Sequence, residues 1–269
     1  MNKRKIKAMG QHFLKNRFVL REIVNHISPQ KEDFIIEIGA GKGVLTFPLT
    51  KKAGKVIAIE RDKALIPSLR KESFPNLKIL EEDVLKIDFI KLIKKELDFK
   101  GKVKLVGNLP YSISSPLLFK AFQERELISE FFFLIQKEVA ERICAQPRSK
   151  KYAPLSILFQ NYFSTKLLLV VGPESFKPPP KVKSALVSLK KRVKPIFRIK
   201  REEAFHGFLK EAFRHRRKTL FNNLTMRKYS TSLIEEALRK FNFSKTIRSE
   251  ELSLAQFVDL FAFLDKQKN

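Results

Sequence analysis

Asn108-Leu109-Pro110-Tyr111 puts an amide side chain, a rigid prolyl bend and a flat phenol ring within four residues. The run before it, Val103 to Val106, is apolar and β-rich, so the stretch is expected in the loop leaving a strand. Pro110 fixes its own φ and biases Leu109 toward extended backbone. That stiffens the loop and can aim the Leu109 carbonyl outward. Asn108 offers a side-chain carbonyl acceptor and an amide donor. Two acceptors and a ring suit a flat heterocycle with an exocyclic amine. The amine of adenine is a poor nucleophile because its lone pair is drawn into the ring. If Asn108 Oδ1 and the Leu109 carbonyl accept both amine hydrogens, the nitrogen is pushed toward a tetrahedral shape. Its lone pair is then free to meet an electrophile. Stacking on Tyr111 would hold the ring by roughly 1–3 kcal/mol. The same residues also suit a helix-initiating loop with a capping Asn and a core Tyr, so the rest of the chain decides.

A second cluster is Glu37-x-Gly39-x-Gly41-x-Gly43. It is not the dehydrogenase fingerprint, because Val44 stands where the third glycine belongs. Closely spaced glycines still let a ligand approach the backbone. Glu60 follows about twenty residues on, at the end of the next apolar run, where a carboxylate suits ribose hydroxyls. Asp83 ends the run after that and can accept from an adenine amine. Taken singly, the loop reads as a tight strand-helix turn and the acids as solvated loop residues. Taken together, they point to S-adenosylmethionine. That cofactor carries its own leaving group, so the protein need only align donor and acceptor. NAD would need a phosphate-friendly helix start and a hydride partner, and no matching site is visible. No general base is demanded, since a methylated amine is a strong acid and loses its proton to water. No metal is expected. His12 is either a surface histidine or part of a lid, Gly10 to Leu14, over the methionine end of the cofactor. Phe176-Lys177-Pro178-Pro179-Pro180-Lys181-Val182 is either a linker or a wall of the target pocket, with Phe176 facing Tyr111 across a flipped base. Ala212 to Leu220 is a basic helix edge, read as a solvated face or as an RNA phosphate contact.

These residues need a scaffold. Phe18, Val19, Ile23, Val24 and Ile27 recur at helical spacing. Phe34–Ile38, Lys55–Glu60, Leu77–Leu80, Val103–Val106 and Phe131–Ile135 read as strands. Helical stretches are expected at 44–52, 64–71, 89–97, 116–122, 139–145 and 155–163. Lys166–Val171 and Ser184–Leu189 close the sheet as a late pair. The alternation predicts an α/β fold with a mostly parallel, Rossmann-like sheet and helices on both faces. All three candidate sites fall at carboxyl ends of strands, where such sheets bind ligands. After Lys190 the composition turns basic, and from Glu202 onward only helical patterns recur. The division expected is a catalytic domain over 1–191 and a small helical domain over 192–269.

The net charge of +27 exceeds what solubility asks of a small domain, roughly 2–8 units. It selects polyanions as partners, nucleic acid before a membrane surface. Cys144 is the sole cysteine, which excludes internal disulfides and cysteine-based zinc sites and fits a reducing compartment. No apolar run approaches the roughly 20 residues of a spanning helix, and no apolar segment follows the basic start. A cytoplasmic protein is expected, with monomer as the default state.

On Gly10 to Leu14, Glu37 to Gly41, Val56 to Glu60, Glu82 to Val84, Gly107 to Ser114 and Phe176 to Val182, the sequence resembles the KsgA-type rRNA adenine N6-dimethyltransferases. The resemblance runs from about Lys7 to Leu264. Ala212 to Leu220 and Arg248 to Ser253 extend it, and separate this family from related enzymes that modify large-subunit rRNA. The resemblance implies a class I methyltransferase fold with a helical, rRNA-binding C-terminal domain. It implies dimethylation of two adjacent adenosines near the 3′ end of 16S rRNA, within the immature 30S subunit. It places His12, Leu14, Gly39, Gly41, Glu60, Asp83, Val84 and Asn108 on S-adenosylmethionine. Asn108, Leu109, Pro110, Tyr111 and Phe176 fall at the target. His12 and Ser112 stand where asparagine is more usual. Two other readings are carried: a small-subunit assembly factor whose binding role outweighs catalysis, and an adenine methyltransferase acting on large-subunit rRNA or DNA.

Overall fold

The computed structural model describes residues 11–95, 102–226 and 229–267. Gly10 of the expected lid, the basic start Met1 to Lys7, and the end of the helix expected to reach Leu97 lie outside them. Asn16 opens the first helix by accepting from the Phe18 and Val19 N–H groups. In chain order the elements are β1 (Phe13–Leu14), α1 (Arg17–Ile27), β2 (Phe34–Ile38), α2 (Thr46–Thr50), β3 (Lys55–Glu60), α3 (Ile66–Arg70) and β4 (Leu77–Glu81). Next come α4 (Phe89–Lys94), β5 (Val103–Asn108), α5 (Ser114–Gln123), β6 (Glu130–Gln136), α6 (Lys137–Cys144) and α7 (Pro154–Tyr162). Then follow β7 (Phe163–Val171), β8 (Phe176–Lys177) and β9 (Ser184–Lys191). The rest is helical: α8 (Glu202–Ala212), α9 (Leu220–Thr225), α10 (Thr231–Lys240) and α11 (Leu254–Lys266).

Seven strands form one sheet in the order β4-β3-β2-β5-β6-β9-β7. From β4 to β6 every pairing is parallel, and β9 runs antiparallel to β6. β2 is buried along its whole length and β5 up to Gly107. Such uninterrupted burial means that the sheet is covered on both faces, as parallel strands require. Each buried Ile, Leu, Val or Phe there contributes roughly 1.5–3 kcal/mol. Two charges interrupt the apolar runs. Lys104 of β5 is neutralised by Asp33 at 2.7 Å. It also donates to the Ile27 and Ser28 carbonyls, which ties the end of α1 to β5. Glu37 of β2 has no such partner, and it belongs to the site described below.

A two-stranded ribbon, β1 with β8, was not expected from the sequence. It pairs Phe13 with Lys177 and Leu14 with Phe176. By contacts the chain forms two compact units. One takes the residues up to Ala140 together with Ser164–Lys191, and the other takes Glu141–Phe163 together with the chain from Arg192 onward. Residues 141–163 therefore do not cluster with the continuous stretch 1–191 in which the alternation of elements put them. Within the second unit the buried Asn161 side chain holds Phe197 at both its N–H and its carbonyl, and Tyr162 donates to Glu202. Phe205, Phe208, Phe257 and Phe261 meet ring to ring beside them.

Candidate active site

Strand order reverses between β2 and β5, which leave in opposite directions across the sheet. A crevice must open beyond their carboxyl ends, and the ligand site of an open α/β sheet belongs there. In this protein it is a cleft lined from the ends of β2, β3, β4 and β5 and from the segment Gln11–Phe13.

The loop after β2 turns through Gly39 and Gly41, at φ 70° and 61°. Both values favour glycine. At Gly41 an added Cβ would also come within 3.3 Å of the Phe13 ring, which would have to give by a few tenths of an ångström. Glu60, at the end of β3, is 5% exposed. Its two oxygens accept from the N–H groups of Gly41 and Asp62, each at 2.8 Å. The carboxylate therefore pins the glycine loop, and its remaining lone pairs can meet hydroxyl donors in the cleft. Asp83 follows β4 and accepts from the Leu85 N–H at 3.0 Å and from Arg61 at 3.2 Å. Partial burial works to raise its pKa, but the Leu85 N–H and the Arg61 guanidinium outweigh it, so the carboxyl titrates below its usual range. Val84 lines the cleft beside it.

Asn108 is the last residue of β5 rather than part of the loop. Its Nδ2 donates to the His12 carbonyl at 2.8 Å, which leaves Oδ1 as the acceptor not engaged by that bond. Leu109 turns its side chain into the core and its N–H onto the Leu134 carbonyl. Among the described residues no N–H bonds the Leu109 carbonyl. Neither Asn108 Oδ1 nor the Leu109 carbonyl accepts a hydrogen bond from another described residue. Tyr111 is half-buried, and its hydroxyl shares a 2.7 Å hydrogen bond with Ser184. Burial raises its pKa, against the Ser184 bond. Its ring lies 5.4 Å from that of His12, tilted by 41°. His12 Nδ1 donates to the Pro178 carbonyl at 2.8 Å.

The chain matches the family described as ribosomal RNA adenine dimethylase over residues 2–266. It belongs to that family. It is 41% identical to ribosomal RNA small subunit methyltransferase A of Clostridium acetobutylicum over 253 residues, covering 93% of this chain and 90% of that one. The same-named protein of Xylella fastidiosa is 40% identical over 256 residues, with 94% of each chain covered. A dimethyladenosine transferase from Plasmodium falciparum superposes with a TM-score of 0.81 at 27% identity, covering 96% of this chain and 98% of that one. The 23S rRNA methyltransferase ErmE shares the fold, with a TM-score of 0.70 at 24% identity. The Rossmann-like methyltransferase sheet with a helical C-terminal region is the family's architecture, and its members use S-adenosylmethionine.

The residues present fit that cofactor. Carboxylates stand at one end of the cleft, the glycine loop in the middle and the Asn108 turn beyond it. Two buried side-chain oxygens also have no hydrogen-bond partner among the described residues, Gln11 Oε1 and Glu37 Oε2. Gln11 lines the cleft, and Glu37 lines an adjoining cavity behind the glycine loop. Burial pushes the Glu37 carboxyl up to about 8 and the nearby Glu60 charge adds to this. The Thr46 hydroxyl opposes it, without reaching hydrogen-bond geometry with Oε2.

Of the residues expected at the site, His12, Gly39, Gly41, Glu60, Asp83, Val84, Asn108, Leu109, Pro110 and Tyr111 meet in this one cleft. Two do not. Leu14 is buried in the core and reaches only the adjoining cavity. Phe176 is 2% exposed and packs in the same core. The two are paired in the β1–β8 register, and Phe176 does not line the cleft that Tyr111 lines. The sequence marks no individual role for Glu37, Arg61 or Ser184, and marks Gln11 only as part of the expected lid. Gln11 and Glu37 stood inside motifs already singled out, whereas nothing local marks Arg61 or Ser184. In the second unit, Arg214 to Lys218 line a concave surface whose backbone is held by Asn223, bonded to the His215 N–H and carbonyl.

Proposed function

We propose that this protein uses S-adenosylmethionine to dimethylate N6 of two adjacent adenosines near the 3′ end of small-subunit rRNA, in the immature subunit. Gly39 and Gly41 would lie along the cofactor, Glu60 would take its ribose hydroxyls, and Asp83 with Val84 its adenine. His12 and Gln11 would cover the methionine end. When bound, the cofactor supplies an electrophilic sulfonium methyl. The chain's own task is to prepare the other reactant. Asn108 Oδ1 and the Leu109 carbonyl accept the two amine hydrogens and expose the nitrogen lone pair. Tyr111, steadied by Ser184, offers its face to the purine. The methylated nitrogen then loses its proton to water. Arg214 to Lys218 of the C-terminal region would hold rRNA phosphates. A cytoplasmic monomer is the state in which we expect it to act.

The observation that carries this reading is the Asn108 amide. Its nitrogen is engaged by the His12 carbonyl, which supports the oxygen as the atom that accepts from an incoming amine. Removing one preorganised partner of a reacting group costs on the order of 10²–10³ in turnover. Asn108→Ala should lose that much in single-turnover methyl transfer, while S-adenosylmethionine affinity by calorimetry falls less than about tenfold. Equal loss of both would remove the assigned role. Labelled-methyl transfer to immature small subunits, large subunits and duplex DNA in parallel identifies the acceptor.

A further inference from the structure

Lys177, Lys181 and Lys183 are exposed, and none has an ion-pair partner among the described residues. They flank or follow three consecutive prolines, and no acidic residue stands between Phe176 and Ser184. Prolines hold such a segment extended at little entropic cost. The segment is fastened to the catalytic cleft at both ends. At one end β8 pairs with β1, and the Pro178 carbonyl accepts from His12. At the other, Ser184 holds the Tyr111 hydroxyl. Yet none of its residues lines the cleft. It is therefore a rigid basic ridge tied to the mouth of the site, not a wall of it. Val182, 46% exposed, adds an apolar contact between two of the cations.

We infer that this ridge binds the sugar-phosphate backbone of the single-stranded RNA next to the target adenosine. This rests on the reading of the cleft as an adenosine site. A base presented to that cleft must leave its helix, and the flanking strand then needs neutralising charge close by. Lysines serve as point charges for phosphates whose sequence is not read. Three fixed cations on one extended segment match successive phosphates of an extended strand. A protein partner would ask for a larger apolar surface than Val182 offers.

The test uses the full chain, its triple variant Lys177→Gln/Lys181→Gln/Lys183→Gln, and a control, Lys51→Gln/Lys52→Gln/Lys71→Gln. The control loses the same charge at exposed positions outside the ridge segment. Binding of a short synthetic RNA with two adjacent unpaired adenosines is followed across a salt series. S-adenosylmethionine affinity checks that each variant is folded. For single strands each lost phosphate contact removes about 0.7 from the slope of log K against log salt. The ridge variant should show a slope shallower by about 2 and bind on the order of tenfold or more weakly at low salt. The control should keep the wild-type slope. An unchanged slope in the ridge variant overturns the inference, as does an equal change in both variants, which would be net charge alone. Unchanged binding of free RNA with weakened binding of small subunits would assign the ridge to a ribosomal protein instead. Failure of the underlying reading would appear separately, as absence of methyl transfer by the wild-type protein to any adenosine-containing RNA.

Discussion

At the scale of single residues, Glu37 makes the sharpest physical claim. It is a fully buried acid whose carboxyl titrates near 8, against an ordinary value of 4.5. The native protein keeps this proton while the unfolded chain releases it. Between about pH 4.5 and 8 the native state therefore holds more protons, and stability falls as pH rises. Above about 8 both states are ionised and this contribution levels off. Glu37→Gln keeps the shape without the charge. In urea denaturation of the protein without cofactor, the variant should gain on the wild type as pH rises toward 8, and its stability should lose that slope. Parallel curves would place the proton elsewhere. The same residues show what a sequence can and cannot disclose. Asn108, Glu60 and Asp83 are legible because the site needs their chemistry at strand ends, and strand ends follow from apolar runs. The bond by which Glu60 pins Gly41 depends on how two loops meet in space. So does the inward turn of Phe176, which its Pro-rich neighbours did not foretell.

At the scale of elements, the sheet was readable because the buried parallel strands are short apolar runs separated by helical spacing. Two joints were not readable. The β1–β8 ribbon is two residues long on each side, too short for any periodicity, and its register alone decides which faces of Leu14 and Phe176 turn inward. The other joint is Lys104, a single cation within an apolar strand, whose role depends on residues some seventy positions away. Its ammonium is satisfied three ways, by Asp33, Ile27 and Ser28. Asp33 in turn accepts from the Gln30 N–H at 2.8 Å. Breaking a buried pair from one side leaves an uncompensated charge and costs about 3–5 kcal/mol. Asp33→Ala should lose that amount in chemical denaturation, and Asp33→Ala/Lys104→Met should recover part of it. A double variant as weak as the single one would mean that the pair holds α1 by geometry rather than by charge.

At the scale of the whole molecule, the basic composition that begins after Lys190 marks where the second unit resumes, not where it starts. The apolar stripe of α7 requires a packing partner without specifying which one. In the structure that partner is the chain beyond Arg192. Arg192 donates from its backbone to the Tyr162 carbonyl, Arg148 to the Glu250 carbonyl, and the Tyr152 and Phe213 rings meet at 6.1 Å. Asn161, fully buried, has both ends of its amide on Phe197. Cutting the chain after Lys191 would remove every one of these partners and keep the residues that need them. A buried amide stripped of its bonds costs roughly 1–3 kcal/mol, and the Tyr152 ring, no longer met by Phe213, adds hydrophobic surface with nothing to cover it. A chain of residues 1–191 should therefore associate on size exclusion and bind an apolar dye, even though it contains every residue of the cleft. Its affinity for S-adenosylmethionine should fall because folded protein is scarce, not because a contact is missing. A monomeric 1–191 chain that unfolds cooperatively and stays dark with the dye would show that residues 141–163 can close on the first unit alone. The catalytic domain would then end where the composition changes.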